Sequence, residues 1–343
     1  MAENAPKKVA VVGYGGAFNM GRQHLREMAS AGMVPTAVCD LDAERLKVAR
    51  QEFPGVRTFT RLSSLLSRTD VDLVTVITPH HSHAPLALQC LRADRSVVIE
   101  KPMTITTAEC DRLIAEATKR GKLLSTYHNR HWDGCILTAL EKIGSGEIGD
   151  VFRVEAHIGG YGKPGNWWRS QRSISGGILY DWGVHLLEYA LQILQPSTLT
   201  EVSGYAKEGF WAQELPYGDD ANEDEAFLVA RFADGRWLSL SVSSVDSYNK
   251  EERGMLEITG TRGTYVLHGN KWQIRRREGD EIVVREGRHA DSEGYRFYQN
   301  IAAALAGTDP LIITPEWARR PVHILDLAIR SARAQKALPS RYA

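Results

Sequence analysis

The chain has 343 residues, 43% hydrophobic and 24% charged, with 42 Lys plus Arg against 42 Asp plus Glu. That length exceeds what one hydrophobic core usually serves and predicts two domains, and the balanced charge gives no footprint for a nucleic-acid or membrane-surface partner. No stretch approaches the ~20 apolar residues of a membrane helix, the opening MAENAPKKVAVVG lacks the apolar core of a signal peptide, and Cys39, Cys90, Cys110 and Cys135 form no CxxC pair, so reduced thiols and a cytoplasmic location are expected.

The first third alternates apolar runs with helical patterns. KVAVVG (8–13) leads through a glycine turn into a helix over 22–29. PTAVCD (35–40) precedes the helical LDAERLKVARQEF. VDLVTVITP (71–79), a helix around HAPLALQCLRA, SVVIEKP (96–102), a helix over 107–121 and KLLSTYHNR (122–130) follow. Short apolar runs separated by helices of roughly a dozen residues predict βαβ units and a doubly wound parallel sheet, here over residues 1–127. After a helix near 133–143 the pattern changes. Strands are predicted at 150–158, 199–207, 223–233, 236–246, 252–260, 263–268, 271–277 and 281–285, with turn glycines in ADGR and TGTRG. They predict a second domain over 128–343 built on an antiparallel or mixed sheet. Helices return at 294–306 and 315–337, the last of which is expected to pack back on the first domain.

Two stretches carry chemistry. The turn GYGGAFNMGRQH follows the first strand and opens a helix, the setting in which glycines let backbone N–H groups approach a pyrophosphate. Gly13, Gly15 and Gly16 fit. Position 18 is Phe, and the next glycine is Gly21, so a longer turn is expected, with Phe18, Asn19 and Met20 as a small flap over the phosphates. A tight turn with no ligand is the alternative. Asp40 ends the second strand, 27 residues after Gly13. A carboxylate there accepts hydrogen bonds from ribose hydroxyls and repels a 2′-phosphate, which favours NAD over NADP. Its alternative is a helix N-cap, a role Asp42 could fill equally well. The second stretch is GGILYDWGVHLLEYALQIL (176–194), a helix with Asp181 and His185 one turn apart on one face.

TPHHSHAPLALQCLRADRSVVIEKPM together with SGGILYDWGVHLLE resembles the Gfo/Idh/MocA family of nicotinamide-dependent sugar and cyclitol oxidoreductases, over nearly the whole chain. The resemblance implies a Rossmann domain, a second α/β domain with a large, open, mostly antiparallel sheet, and a nicotinamide bound across the cleft between them. It assigns Thr78, Pro79, His80 and His83 to the loop after strand four, where the family usually has Asn in place of His80. Lys101 of the EKP segment is implied as catalytic and Glu100 as lying near the nicotinamide ribose. Asn129 and Arg130 match the segment entering the second domain. Asp181 and His185 match the family's acid and histidine near the reacting hydroxyl. The late third glycine is the clearest departure.

Hydride transfer from a secondary alcohol needs a base for the hydroxyl proton and a group that stabilises the developing alkoxide. Lys101, at the carboxyl end of a strand, fits the second role, and His185 can accept the proton at neutral pH. Asp181 can hydrogen-bond a sugar hydroxyl or hold Lys101. A helix-surface pair is the alternative for Asp181 and His185. In the loop GGYGKPGNWWRSQRSISGG, Trp167 and Trp168 offer flat faces to sugar C–H bonds, and Arg169 and Arg172 offer fork-shaped donors. His128 and His131 are placed near the cleft. HHSH suggests a metal, but no cysteine or carboxylate pair accompanies it, and no metal is expected. The acidic YGDDANEDE (217–225) reads as a solvated loop. The expected function is an NAD-dependent sugar or polyol dehydrogenase. The alternative is an NAD-dependent glycosidase working by oxidation, elimination and re-reduction. A broad open sheet needs a cover, so a homodimer or homotetramer through the C-terminal sheet is expected.

Overall fold

The computed structural model describes residues 5–16, 18–247 and 254–342. In chain order the first unit contains β1 (Lys8–Val12), α1 (Met20–Ser30), β2 (Val34–Cys39), α2 (Ala43–Glu52), β3 (Arg57–Phe59), α3 (Leu62–Arg68), β4 (Leu73–Val76), α4 (His83–Arg92), β5 (Ser96–Ile99), α5 (Thr107–Arg120) and β6 (Leu124–Thr126). The six strands are parallel in the order β3-β2-β1-β4-β5-β6. This is the doubly wound sheet expected, with the strand order reversing between β1 and β4. β4 and β5 are buried throughout, as strands covered on both faces must be. Local signals set the helix ends. Thr106 caps α5 by accepting the Glu109 N–H at 3.3 Å while its hydroxyl meets the Glu109 carboxylate at 3.0 Å, and Gly121 closes the helix in the left-handed region.

The second unit continues with α6 (Gly134–Gly144), β7 (Val151–Gly159), the short α7 (Arg172–Ser175), α8 (Leu179–Leu194), β8 (Leu199–Lys207), β9 (Glu225–Phe232), β10 (Trp237–Ser243), β11 (Leu256–Gly260), β12 (Gly263–Leu267), β13 (Lys271–Glu278) and β14 (Glu281–Arg288). α9 (Arg296–Ala306) and α10 (Pro315–Ala334) follow, then the two-residue β15 (Leu338–Pro339). The nine strands run β14-β13-β12-β11-β7-β10-β9-β8-β15, all antiparallel except for the central β7–β10 pair. Residues 252 and 253 of the predicted strand 252–260 lie outside the described residues. Along β7, β9 and β10 side chains alternate. Val154, Ala156, Leu228, Leu238 and Leu240 are buried, whereas Arg153, Glu155, Phe227, Val229, Ser239 and Ser241 on the other face are half-buried. α8 packs on β7 and β10, where a methyl on Gly183 would stand 3.1 Å from Leu240.

The compact units do not follow one cut in the chain. Residues 1–129 and 295–320 form one unit, and 130–294 and 321–343 form the other. α9 and the start of α10 thus return to the parallel-sheet unit, and the rest of α10 belongs with the second sheet.

Candidate active site

The carboxyl ends of β1, β2, β4 and β5 bring the predicted cofactor residues of the first unit together. Gly13 has φ +90°, and a Cβ there would lie 2.0 Å from the Ile77 carbonyl oxygen, so only glycine lets β1 leave the sheet against the end of β4. Gly21 resolves the irregular spacing. A Cβ on it would meet the Tyr14 and Gly13 backbone at 2.5–2.6 Å. Gly21, not position 18, therefore lets α1 approach the turn closely. Asn19, in the left-handed region, precedes α1. No side chain among the described residues caps this helix start, and its first turn holds no acidic residue, so its N–H groups suit an anion. Phe18 is exposed beside it, and residue 17 lies outside the described residues.

Asp40, buried at the end of β2, accepts the Tyr14 N–H through Oδ2 at 2.8 Å and the Asp42 N–H through Oδ1 at 2.9 Å. Asp42, not Asp40, caps α2, accepting the Glu44 N–H at 2.9 Å. A buried carboxylate beside a glycine turn and an uncapped helix start is a donor and acceptor set that fits the ribose and pyrophosphate of a dinucleotide.

Thr78 and Pro79 follow β4, with Thr78 Oγ1 accepting from Ser82 at 2.7 Å. His80 is buried, its ring 5.7 Å from that of His83. His83 is fully buried, and its two ring nitrogens lie 2.8 Å from the carbonyls of Pro102 and Thr78. It therefore ties the loop after β4 to the turn after β5, so both ring nitrogens are used within the protein. Burial pushes its pKa below the usual imidazole range, although both carbonyls and Glu100 favour the charged form. Glu100 accepts the Lys101 N–H at 2.8 Å through one oxygen and lies 3.2 Å from His24 Nε2 through the other. Burial alone would raise its pKa, but His24 and Lys101 outweigh that and hold the carboxyl below its ordinary range. Nothing in the sequence pattern singled out His24. His128, expected to meet substrate, is only 1% exposed.

In the second unit the first two turns of α8 present Asp181, Trp182 and His185. Arg169 Nη1 lies 2.5 Å from Asp181 Oδ1, and its guanidinium sits 5.2 Å from the Trp167 ring and 5.1 Å from Trp168. The two indoles are 6.2 Å apart. Arg169 therefore joins the aromatic loop to the acid on α8. The Trp182 ring is 5.7 Å from His185 on one side and 5.1 Å from the Arg130 guanidinium on the other. Arg130 also pairs with Asp133 at 2.9 Å, which accepts the Tyr189 hydroxyl at 2.5 Å. Arg172 does not share this role: it bonds the Ala221 carbonyl at 2.8 Å and pairs with Glu208 at 3.1 Å.

The segment 217–225 is solvated only in part: Gly218 and Asp219 are exposed, but Glu223 and Asp224 are buried, against expectation. Asp224 is buried and accepts the N–H groups of Phe210 and Trp211 at 2.7 and 2.9 Å, and Glu223 accepts that of Ile178 at 2.9 Å. These carboxylates brace the start of α8 and the neighbouring loop. The sequence reading also missed a buried pair: His131 Nδ1 lies 2.6 Å from Glu188 on α8, whose other oxygen accepts from Gln192 at 3.0 Å.

Comparison with known proteins matches both parts of the chain. The oxidoreductase family with an NAD-binding Rossmann fold, Gfo/Idh/MocA, matches residues 7–128, and its C-terminal domain matches residues 136–266. The chain is 30% identical to the uncharacterized oxidoreductase YdgJ of Escherichia coli over 81% of this chain and 76% of that protein. It is 25% identical to a myo-inositol 2-dehydrogenase of Thermotoga maritima over 75% and 73%. The match to an uncharacterized oxidoreductase of Schizosaccharomyces pombe is 33% identical but spans 55% of this chain and only about half, 52%, of that protein. A levoglucosan dehydrogenase solved with NADH and levoglucosan superposes with a TM-score of 0.81 at 19% identity, covering 98% of this chain and 100% of that one, which is a likeness of fold. NAD is the cofactor that the first unit is built to hold. With both of its domains matched, the chain belongs to the Gfo/Idh/MocA oxidoreductase family.

Proposed function

We propose that the protein is an NAD-dependent oxidoreductase that acts on a ring secondary hydroxyl of a sugar, glycoside or cyclitol. The observation that carries the reading is the Arg169 clamp. A carboxylate held by a guanidinium that also lies against two indoles gives a fixed acceptor for substrate hydroxyls next to flat apolar faces, which suits a polyhydroxylated ring. The likeness to a myo-inositol dehydrogenase and to a levoglucosan dehydrogenase supports the substrate class. NAD, when bound, supplies the hydride acceptor.

The chain's own residues do the rest. Lys101, half-buried at the end of β5, polarises the reacting hydroxyl and stabilises the developing alkoxide. His185 takes the hydroxyl proton, and Asp181 orients a neighbouring hydroxyl. The cover that the second sheet needs comes from a second copy of the chain on the face carrying Phe227 and Val229.

The His131–Glu188 pair favours a second reading. An imidazole oriented by a buried carboxylate, one turn beyond His185, is the extra acid–base pair that a glycosidase using NAD transiently would need.

One assay separates the readings: NADH formation across a panel of sugars, aryl glycosides and inositols. The expected result is stoichiometric NADH with at least one ring polyol. Lys101→Met is expected to lose about 10²–10⁴-fold in rate with NAD affinity kept. Phenol release from an aryl glycoside without net NADH would install the second reading. Lys101→Met activity within a few-fold of wild type would remove the role given to Lys101.

A further inference from the structure

Behind Glu100 the first unit buries polar side chains among Leu25, Met28 and Val76. His24 and Thr75 are 0% exposed and Tyr298 is 1% exposed. They come from α1, β4 and α9, and His24 and Tyr298 are 274 positions apart. They form one line. Thr75 Oγ1 lies 3.3 Å from the Tyr298 hydroxyl, that hydroxyl lies 2.6 Å from His24 Nδ1, and His24 Nε2 lies 3.2 Å from Glu100 Oε1.

Glu100 is ionised and can only accept, so His24 Nε2 carries a proton and donates. The Tyr298 hydroxyl meets the other ring nitrogen, and the Thr75 hydroxyl, which also donates to Met28 Sδ at 3.7 Å, lies behind it. The Tyr127 ring stands edge-on to His24 with centroids 4.2 Å apart and blocks rotation of the imidazole. The other oxygen of Glu100 accepts the Lys101 backbone N–H at 2.8 Å. Apolar side chains would fill the space behind Glu100 without desolvating so many polar groups. What the buried line adds is a fixed direction for Glu100.

We propose that His24 and Tyr298 are positioning residues that hold Glu100 in the rotamer that fixes the Lys101 backbone, and so aim the Lys101 side chain at the reacting hydroxyl. The proposal rests on the reading of Lys101 given above. It also gives α9 a part in the chemistry: the returning C-terminal segment supplies the hydroxyl that sets the imidazole.

The test uses full-length Tyr298→Phe, His24→Phe and His24→Gln, with Lys101→Met alongside, on the panel substrate that gives the fastest NADH formation. Tyr298→Phe and His24→Phe are expected to lower kcat about tenfold to a hundredfold, the cost of a small misplacement. KM and the NADH Kd from nicotinamide fluorescence should stay within about twofold. His24→Gln, which keeps an N–H toward Glu100, should recover most of the rate. Unchanged kcat with only a lower melting temperature, or weaker NADH binding with unchanged kcat, overturns the relay.

A second readout needs no substrate. After reductive ¹³C-dimethylation, the Lys101 resonance, assigned by its loss in Lys101→Arg, should shift in Tyr298→Phe and His24→Phe and return in His24→Gln. A resonance that stays in place overturns the relay. An inactive Lys101→Met beside wild-type rates in Tyr298→Phe and His24→Phe overturns the relay alone, whereas an active Lys101→Met overturns the reading beneath it.

Discussion

The Asp40 carboxylate is held on both sides by its surroundings. Its Oδ2 holds the Tyr14 N–H of the glycine turn, its Oδ1 holds the start of α2, and the Arg45 guanidinium waits 3.8 Å away, also 3.4 Å from Asp42. Asp40→Asn keeps the size and removes the charge. Bonds to ribose hydroxyls that were charge-assisted become neutral, and the repulsion of a 2′-phosphate disappears. Arg45, no longer drawn to position 40, becomes a ready partner for that phosphate. With charged hydrogen bonds worth ~1.5–3 kcal/mol, NAD affinity should fall about tenfold or more. NADP should improve, so the ratio of kcat/KM for NAD to that for NADP falls steeply. A wild-type enzyme that already prefers NADP, or a ratio the substitution leaves alone, would show that Asp40 is not the discriminating group.

At the scale of elements, the second sheet and its helices meet through close backbone approaches that small residues permit. Gly204 on β8 is one such place: a Cβ there would lie 2.0 Å from the Ala328 carbonyl oxygen of α10, and the Gly204 N–H donates to Ser331 Oγ at 2.9 Å. Gly204→Ala must push α10 off the sheet and is expected to cost about 1–3 kcal/mol or more, as overpacking does. Urea unfolding should show a lower midpoint, while NADH affinity, which belongs to the first unit, stays as in wild type. An unchanged midpoint would mean that the helix moves at no cost. Elements with a strong pattern were legible in the sequence: the buried strands β1, β4 and β5, the hairpins β9–β10 and β11–β12, and the amphipathic α8 with Asp181 and His185 one turn apart. β3 and α3 were not, because a three-residue strand and a seven-residue helix carry too few periods to register. Acidic residues 223 and 224 read as solvated because composition cannot show that backbone N–H groups converge on them. The line His24–Tyr298–Thr75 was out of reach for a deeper reason. Its members share no spacing, and only the return of α9 to the first unit makes them neighbours.

Over the whole molecule, the shifted groups predict how stability depends on pH. The carboxyls of Glu52, Glu100, Asp220 and Asp234 would each be raised by burial, but the donors around them outweigh it and hold them low. Asp70 and Glu286 are lowered by Lys8 and Lys271. A folded pKa below the unfolded one gives stability that is present above the unfolded value and lost as pH falls through the folded one. The same sign applies to His83 and His268, both lowered by burial, so the acid limb should begin near the unperturbed imidazole value of about 6.5 and steepen below about 4. The alkaline side has the opposite sign. Burial pushes the Cys39 thiol up to about 11 and those of Cys90 and Cys110 up to about 12, and it raises the phenols of Tyr14, Tyr127 and Tyr298. These groups stabilise the fold below their unfolded values, and that contribution fades as the unfolded chain ionises, from about pH 8.5 for thiols and about 10 for tyrosines. All three buried thiols lie in the unit formed by residues 1–129 and 295–320, whereas burial also raises the phenols of Tyr189 and Tyr265 in the other unit, so both units should lose stability at high pH. The melting midpoint is expected to be flat between about pH 7 and 8.5 and to fall on both sides. Changing the three buried cysteines to alanine should lower the plateau by leaving cavities but make the first part of the alkaline limb shallower. The slope, not the height, is the diagnostic. A midpoint that climbs between about pH 9 and 10.5, or a triple variant with an alkaline slope equal to wild type, would show that buried thiols do not set the alkaline limit.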